Sequence, residues 1–345
     1  MRHEIDEASN WRGHELAAGN GWLRQLSDTY IDEIDAAIAH AKARGVTMAE
    51  CRMEDFPLPT FADDLAEMRA NLEEGTGVQL YRGFPVGKYG LDDLRLIYWA
   101  IGLHLGWAVS QSKRGDMLGD VRDIGTPRDG PQFRGYTSSG ELTFHTDACD
   151  VTGLFCLRPA KSGGISRIVS AAAVHNEILR IRPDLLEVLY EPYWWSWQGN
   201  ELPGDPPYYT QPIYGERDGF FASRYTPTHI RSATQSRDTP PLRPEQKEAL
   251  DLVEAICAKP EFHLEMRFEA GDIQFLNNHL TYHMRTEFAD FDEPDRKRHL
   301  LRLWLSMPNS RPLPDGFAPF FGDVRGGVVR GGFPGHGDAP VFVTA

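Results

Sequence analysis

Cysteine is scarce in this chain of 345 residues: Cys51, Cys149, Cys156 and Cys257 are the only four, and none forms a CxxC pair. That spacing argues against a disulfide scaffold and a cysteine-based zinc site, leaving reduced thiols that serve mainly as packing residues. Long apolar runs are missing as well. The most apolar stretch, Leu94 to Val109, contains His104 and is too short and too mixed to cross a bilayer, so it reads as a buried helix. Basic charge is in deficit, with 36 Lys and Arg against 50 Asp and Glu, a net charge of −14. No nucleic-acid or anionic-membrane partner is therefore expected, and any attraction for an anion must be local. The opening MRHEIDEASNWRGHE has neither an apolar core nor a small-residue cleavage site, so it does not read as a signal peptide and a cytoplasmic location is the expectation. No internal repeat and no phosphate-cradling P-loop are found.

What is present is enough apolar and aromatic residues, 41% and 11%, to bury one large core. Ser27, a stripe of Ile31, Ile34 and Ile38, and Gly45 predict a capped amphipathic helix, and Leu94, Ile97, Tyr98, Ile101 and Leu105 predict a second over 91–105. Between them VQLYRGF, residues 78–84, reads as a strand stopped by Pro85. From Thr143 onward short β-like runs appear (LTFH, GLFCL, SRIVS, and later FHLEMRF, DIQFL and HLLRLWLS), separated by Gly, Pro and Asn turns. This texture predicts an all-β core with flanking helices, an α+β chain built on an antiparallel jelly roll or barrel. Helices are expected at about 171–190, broken by Pro183, and at 244–258. The expected organisation is one domain over 1–345: residues 1–110 pack on the roll, 137–306 form it, and 307–345 are an irregular tail. Residues 191–240, rich in Pro, Gly, Tyr and Trp without periodicity, form a lid or substrate wall.

Three separated segments carry chemistry. In Thr143-Phe144-His145-Thr146-Asp147 the side chains of His145 and Asp147 stand two apart at the end of a strand and point to the same side. An imidazole and a carboxylate converging in this way suit a divalent transition metal, and a second histidine would complete an open facial triad. Alone, His-x-Asp is common and reads first as a surface or capping pair. The second segment runs Gly271-Asp272-Ile273-Gln274-Phe275-Leu276-Asn277-Asn278-His279-Leu280-Thr281-Tyr282-His283-Met284-Arg285. The third is Arg298-His299-Leu300-Leu301-Arg302, in an alternating apolar strand.

Over about residues 137–306, the order and spacing of these segments resemble the taurine dioxygenase-like family of Fe(II)- and 2-oxoglutarate-dependent oxygenases, related to clavaminate synthase. The resemblance implies a double-stranded β-helix and three iron ligands, His145, Asp147 and His283. It also implies that Arg298 binds the distal carboxylate of 2-oxoglutarate. Gly163-Gly164-Ile165-Ser166 stands where the family has a GGD-Thr segment, which makes Ser166 a companion to Arg298, although Ile165 and Ser166 depart from the pattern. Arg302, on the same strand face as Arg298, either binds the acidic group of a substrate or is a supporting partner for a carboxylate or an exposed strand-end arginine. His279 is read as a turn or wall residue, Arg285 as structural or at the pocket edge, and Trp194, Trp195 and Trp197 as packing. The tract from Tyr136 to Glu141 is a solvated loop or a pocket lining.

The implied activity is a dioxygenase using Fe(II), 2-oxoglutarate and O2 to hydroxylate an unactivated C–H bond of a small carboxylate-bearing metabolite or amino acid, releasing succinate and CO2. Retention of Asp147 disfavours a halide site. The partner expected is a small-molecule substrate, and a homo-oligomer accords with the resemblance. Two other readings stay open: a zinc hydrolase or isomerase on a cupin-like barrel with the same ligands, and a silent small-molecule-binding relative.

Overall fold

The computed structural model describes residues 2–19, 21–125 and 137–337. The capped amphipathic helix is Asp28–Ala43: Ser27 Oγ accepts from the Tyr30 backbone N–H at 3.2 Å, and Ile34, Ala37, Ile38 and Ala41 are buried. The second predicted helix is Leu91–Leu105, and these two pack with Phe61–Glu74 as an N-terminal helical layer. Leu65, Met68, Ile97 and Ile101 of that layer meet Phe155, Phe275, Leu301 and Leu303 in one apolar cluster. Pro183 divides the next helical region into Ala171–Ile181 and Pro183–Leu189, since a proline ring suits a first helical turn but not an interior one. With Pro244–Cys257 these helices form a second layer around Ile178, Leu186, Leu250 and Val253.

The expected closed roll is not what the strands build. Among the described residues they fall into five separate sheets, and the architecture is mixed α+β. The large sheet has seven strands, ordered Leu23–Gln25, Val78–Arg82, Ile273–Asn277, Val151–Arg158, His299–Ser306 and Trp107–Ala108, with Leu118–Val121 also paired to His299–Ser306. The small sheet has four, ordered His263–Met266, Ser166–Ser170, Thr281–Arg285 and Leu142–His145. Three two-stranded ladders complete the set. The reason lies at the edges. The large sheet ends in strands of three and two residues, too short to carry a ladder across to the small sheet. The small sheet ends at Leu142–His145, where the next amide, Thr146 N–H, leaves the ladder for Tyr225 O at 2.7 Å. The all-β double-stranded β-helix is thereby replaced by several open sheets braced by two helical layers.

Residues 191–240 are ordered into two hairpins, Tyr193–Ser196 with Tyr208–Gln211 and Tyr214–Arg217 with Phe220–Ser223, followed by the helix Pro227–Thr234. Aromatic packing explains the lack of periodicity in the sequence: Trp195, Tyr214 and Phe221 are inserted into the second core rather than alternating between core and solvent. The segment after Asp315 contains the short helix Ala318–Phe321 and is otherwise irregular through 337. No helix among the described residues is long and apolar enough to cross a membrane.

Candidate metal centre

Two adjacent antiparallel strands of the small sheet bring the two histidines together. His145 and His283 are direct register partners, with ring centroids 4.3 Å apart. Asp147 lies just beyond the end of the first strand. Its backbone N–H donates to Asn278 Oδ1 at 2.9 Å, which fixes the turn that aims its carboxylate back at the histidines. One donor atom from each of His145, Asp147 and His283 lies within 4.8 Å of the others, the only such trio of metal-ligating side chains among the described residues.

The hydrogen bonds around the trio prepare it for a cation. His145 Nδ1 is 2.8 Å from Thr143 O, and because a carbonyl can only accept, Nδ1 carries a proton and Nε2 is the nitrogen left to face a cation. Asp147 Oδ2 accepts from Thr152 Oγ1 at 2.9 Å, and Asp147 Oδ1 faces Arg302 Nη1 at 3.5 Å. Burial pushes the Asp147 carboxyl up, but Arg302, His283, His145 and the Thr152 hydroxyl outweigh it and hold the group at about 2. Burial, with help from neighbouring His145, holds His283 down at about 3, so it is a neutral imidazole at physiological pH. Two imidazoles and one carboxylate, with room for further ligands in the cavities beside them, match the donor set of a ferrous facial triad.

Two cavities meet at this trio. The first is lined by His145, Asp147, Ser166, His283, Arg285 and Arg298. Arg298 enters it from the large-sheet side, its backbone N–H anchored on Asp290 Oδ1 at 2.7 Å, while its Nη1 is buried without a hydrogen-bond partner. Burial holds this guanidinium down at about 10. Gly164 sits beside it with φ +65°, a left-handed conformation that side chains rarely adopt, so the second glycine of the Gly163-Gly164 pair turns the chain next to the arginine. Ser166 is buried in the same cavity.

The second cavity, about 370 Å³, opens on the other side of His145 and Asp147 and is lined by Gln198, Asn200, Arg224, Thr226, Thr228 and Trp304, among others. The 191–240 segment thus supplies one wall. Arg302 touches both cavities, and its Nε donates to Gln111 Oε1 at 2.8 Å.

Other residues singled out in the sequence take different places. His279 is outside the trio: it is buried with Nε2 2.9 Å from Asp150 Oδ1, and Asp150 also accepts from Arg330 Nε at 2.8 Å. Arg285 lines the first cavity while its Nη2 donates to Ser138 O at 2.8 Å and to Gly140 O. Within the 136–141 tract Tyr136 lies outside the described residues, and Glu141 borders the second cavity. Trp195 is fully buried, with Nε1 donating to Gln211 O at 2.8 Å. All four cysteines are free and buried, and burial raises the Cys149 thiol well above its usual range. Arg224, Gln111, Thr152 and the Asp150–Arg330 pair were not foreseen. Thr152 stands five residues past Asp147 with no motif to mark it, and long-range packing brings Gln111 to Arg302, Arg224 to the cavity and Arg330 to Asp150.

Comparison with known proteins agrees with this geometry. The family described as taurine catabolism dioxygenase TauD, TfdA family matches residues 42–304. FR-33289 synthase of Streptomyces rubellomurinus is 32% identical over 321 residues, covering 91% of this chain and 94% of that protein. The taurine hydroxylase-like protein SAT17 of Stachybotrys chartarum is 28% identical, covering 87% and 79%. Among solved structures, asparagine oxygenase in complex with Fe(II), 2S,3S-3-hydroxyasparagine and succinate superposes with a TM-score of 0.63 at 19% identity, over 83% of this chain and 93% of that one. The non-heme iron oxygenase OrfP with Fe and alpha-ketoglutaric acid gives 0.60 at 14% identity, over 82% and 94%. A family match across three-quarters of the chain, ending just past Arg298 and Arg302 and enclosing the whole metal-ligating trio, establishes that the chain belongs to the TauD, TfdA family and is an Fe(II)- and 2-oxoglutarate-dependent dioxygenase acting on a small substrate.

Proposed function

We propose that His145, Asp147 and His283 hold a single ferrous ion, that Arg298 with Ser166 beside it receives the distal carboxylate of 2-oxoglutarate, and that the second cavity takes a small acidic metabolite or amino acid for hydroxylation. The observation that carries this reading is the donor trio standing between two cavities, one of which holds a buried guanidinium with an unpartnered Nη1. A buried donor without a partner costs about 1–3 kcal/mol, more if charged, and an incoming carboxylate removes that cost.

Bound at this site, iron and 2-oxoglutarate together supply oxygen activation coupled to decarboxylation, giving succinate, CO2 and an oxygen atom for a C–H bond. The chain's own residues do the rest. Thr143 O and Thr152 Oγ1 hold His145 and Asp147 in their ligating orientations, and such supporting bonds tune metal affinity. Arg302 balances the Asp147 charge, which keeps the carboxylate ionised in a buried site, and presents its flank to the substrate cavity. Val121, Leu154 and Phe268 close the first cavity with apolar surface, which excludes water from the cosubstrate and strengthens its pairing with Arg298. A zinc hydrolase with the same ligands would have no use for Arg298 in that cavity.

The test is anaerobic mixing of the protein with Fe(II) and 2-oxoglutarate. A visible charge-transfer band should appear, require both additions and shift when the right acidic substrate is added. Absence of the band with iron and 2-oxoglutarate in excess would remove the cosubstrate assignment.

A further inference from the structure

The second cavity contains a charge that the reaction scheme does not use. Arg224 follows the strand Phe220–Ser223 and lines the cavity, yet the residue is only 2% exposed. Its Nη1 donates to Tyr209 Oη at 2.5 Å and to Gln211 Oε1 at 3.2 Å, both neutral acceptors. Its Nε is buried without a partner. The guanidinium lies over the ring of Phe320 at 3.7 Å and near that of Trp195 at 4.7 Å. Aromatic faces and neutral acceptors offset part of the cost of burying a cation, but none of them neutralises it. The acidic groups bordering the cavity do not serve it either. Glu141 is exposed at the rim, and Asp147 is engaged by Arg302 and Thr152.

We propose that Arg224 is the specificity-determining residue for the substrate, docking an oxyanion group (carboxylate, sulfonate or phosphonate) so that the carbon to be oxidised lies between Arg224 and the His145–Asp147–His283 trio. This assigns the acidic end of the substrate to Arg224 rather than to Arg302, whose guanidinium is already bonded to Asp147 and Gln111. The proposal rests on the reading of this cavity as the substrate side of the metal. It gives the net-acidic chain the local cation that an anionic substrate requires, in the wall of the cavity that borders His145 and Asp147.

The test titrates propionate, ethanesulfonate and ethylphosphonate, with propionamide as the neutral counterpart, into the anaerobic Fe(II)–2-oxoglutarate protein by calorimetry and tryptophan fluorescence. At least one anion should bind saturably to the wild type and tenfold or more tighter than propionamide. Arg224→Gln should weaken that anion at least tenfold while leaving 2-oxoglutarate affinity unchanged, and Arg224→Lys, which keeps the charge and covers the case in which the glutamine variant does not fold, should fall between. Three results each overturn the proposal: no anion binding by the wild type, equal binding by the wild type and the Arg224 variants, or displacement of 2-oxoglutarate by the anion. If the protein does not take up 2-oxoglutarate, the reading in the preceding section fails, and the same anion titration of the metal-free protein still decides the role of Arg224.

Discussion

Arg298 and Arg285 share the ring of Phe288, their guanidinium carbons 5.0 and 4.7 Å from its centroid, and each keeps a buried Nη1 with no hydrogen-bond partner. Two cations buried this close together repel each other. Burial first, and then the charge of Arg298, bring the Arg285 guanidinium down to about 9. An anion between them relieves both costs at once.

Arg298→Ala should therefore raise the 2-oxoglutarate KM by about 30-fold or more, the equivalent of about 2 kcal/mol or more for a lost charge-assisted pair. Arg285→Gln should raise it severalfold, and Ser166→Ala less than either. Steady-state succinate formation against 2-oxoglutarate concentration gives all three values, and an unchanged KM in Arg298→Ala would move the anchor elsewhere.

Thr152 touches Asp147 and not the metal position. Thr152→Val keeps the shape and removes the 2.9 Å hydrogen bond to Asp147 Oδ2. Loss of such a supporting bond weakens metal binding by about 10-fold. Titration with Co(II) as a spectroscopic stand-in for iron measures it, and equal affinities would show that Arg302 and the strand alone orient the carboxylate.

The metal-free protein should lose stability in acid through His283. Its folded pKa of about 3 lies below the ordinary histidine value, so between about 6.5 and 3 the unfolded chain binds the extra proton and the folded chain does not. Stability therefore falls as pH drops through that window. Thermal unfolding of the metal-free wild type and of His283→Gln between pH 7 and 4.5 should show a shallower slope in the variant, and parallel slopes would contradict the assignment.

The Asp150 cluster is structural and should be separable from chemistry. Asp150 accepts from Arg330 Nε and from the Met307 backbone N–H at 2.9 Å and pairs with His279, all buried. Asp150→Asn leaves Arg330 without its counter-charge, and breaking a buried pair in this way costs about 3 kcal/mol or more. The melting temperature should drop by several degrees, with metal affinity unchanged in the protein that remains folded at low temperature.

How far the sequence reveals this molecule depends on the range of the interaction concerned. Ser27 with its isoleucine stripe, Leu91–Leu105, and the runs 142–145, 166–170 and 299–306 are visible because helices and strands reveal themselves through local periodicity. His145 and Asp147 are visible because spacing two apart at a strand end fixes their common side, and His283 because a recognisable motif surrounds it. Sheet closure is not local. Whether Leu142–His145 continues into a barrel depends on Thr146 leaving for Tyr225, 79 residues away, and alternation within the strand carries no trace of that. Arg224 is hidden for the same reason: its partners Tyr209 and Gln211 belong to another hairpin, and Phe320 to the helix Ala318–Phe321.

The central claim is that one metal held by His145, Asp147 and His283 consumes 2-oxoglutarate. Succinate formed from 2-oxoglutarate under air, with and without added Fe(II), in the wild type and in His145→Ala, Asp147→Ala and His283→Ala, tests it most directly. The wild type should produce succinate only with iron, and each variant should lose at least 99% of that yield, about 2.7 kcal/mol in the barrier. Iron-dependent succinate production at wild-type levels in any of the three would contradict the account.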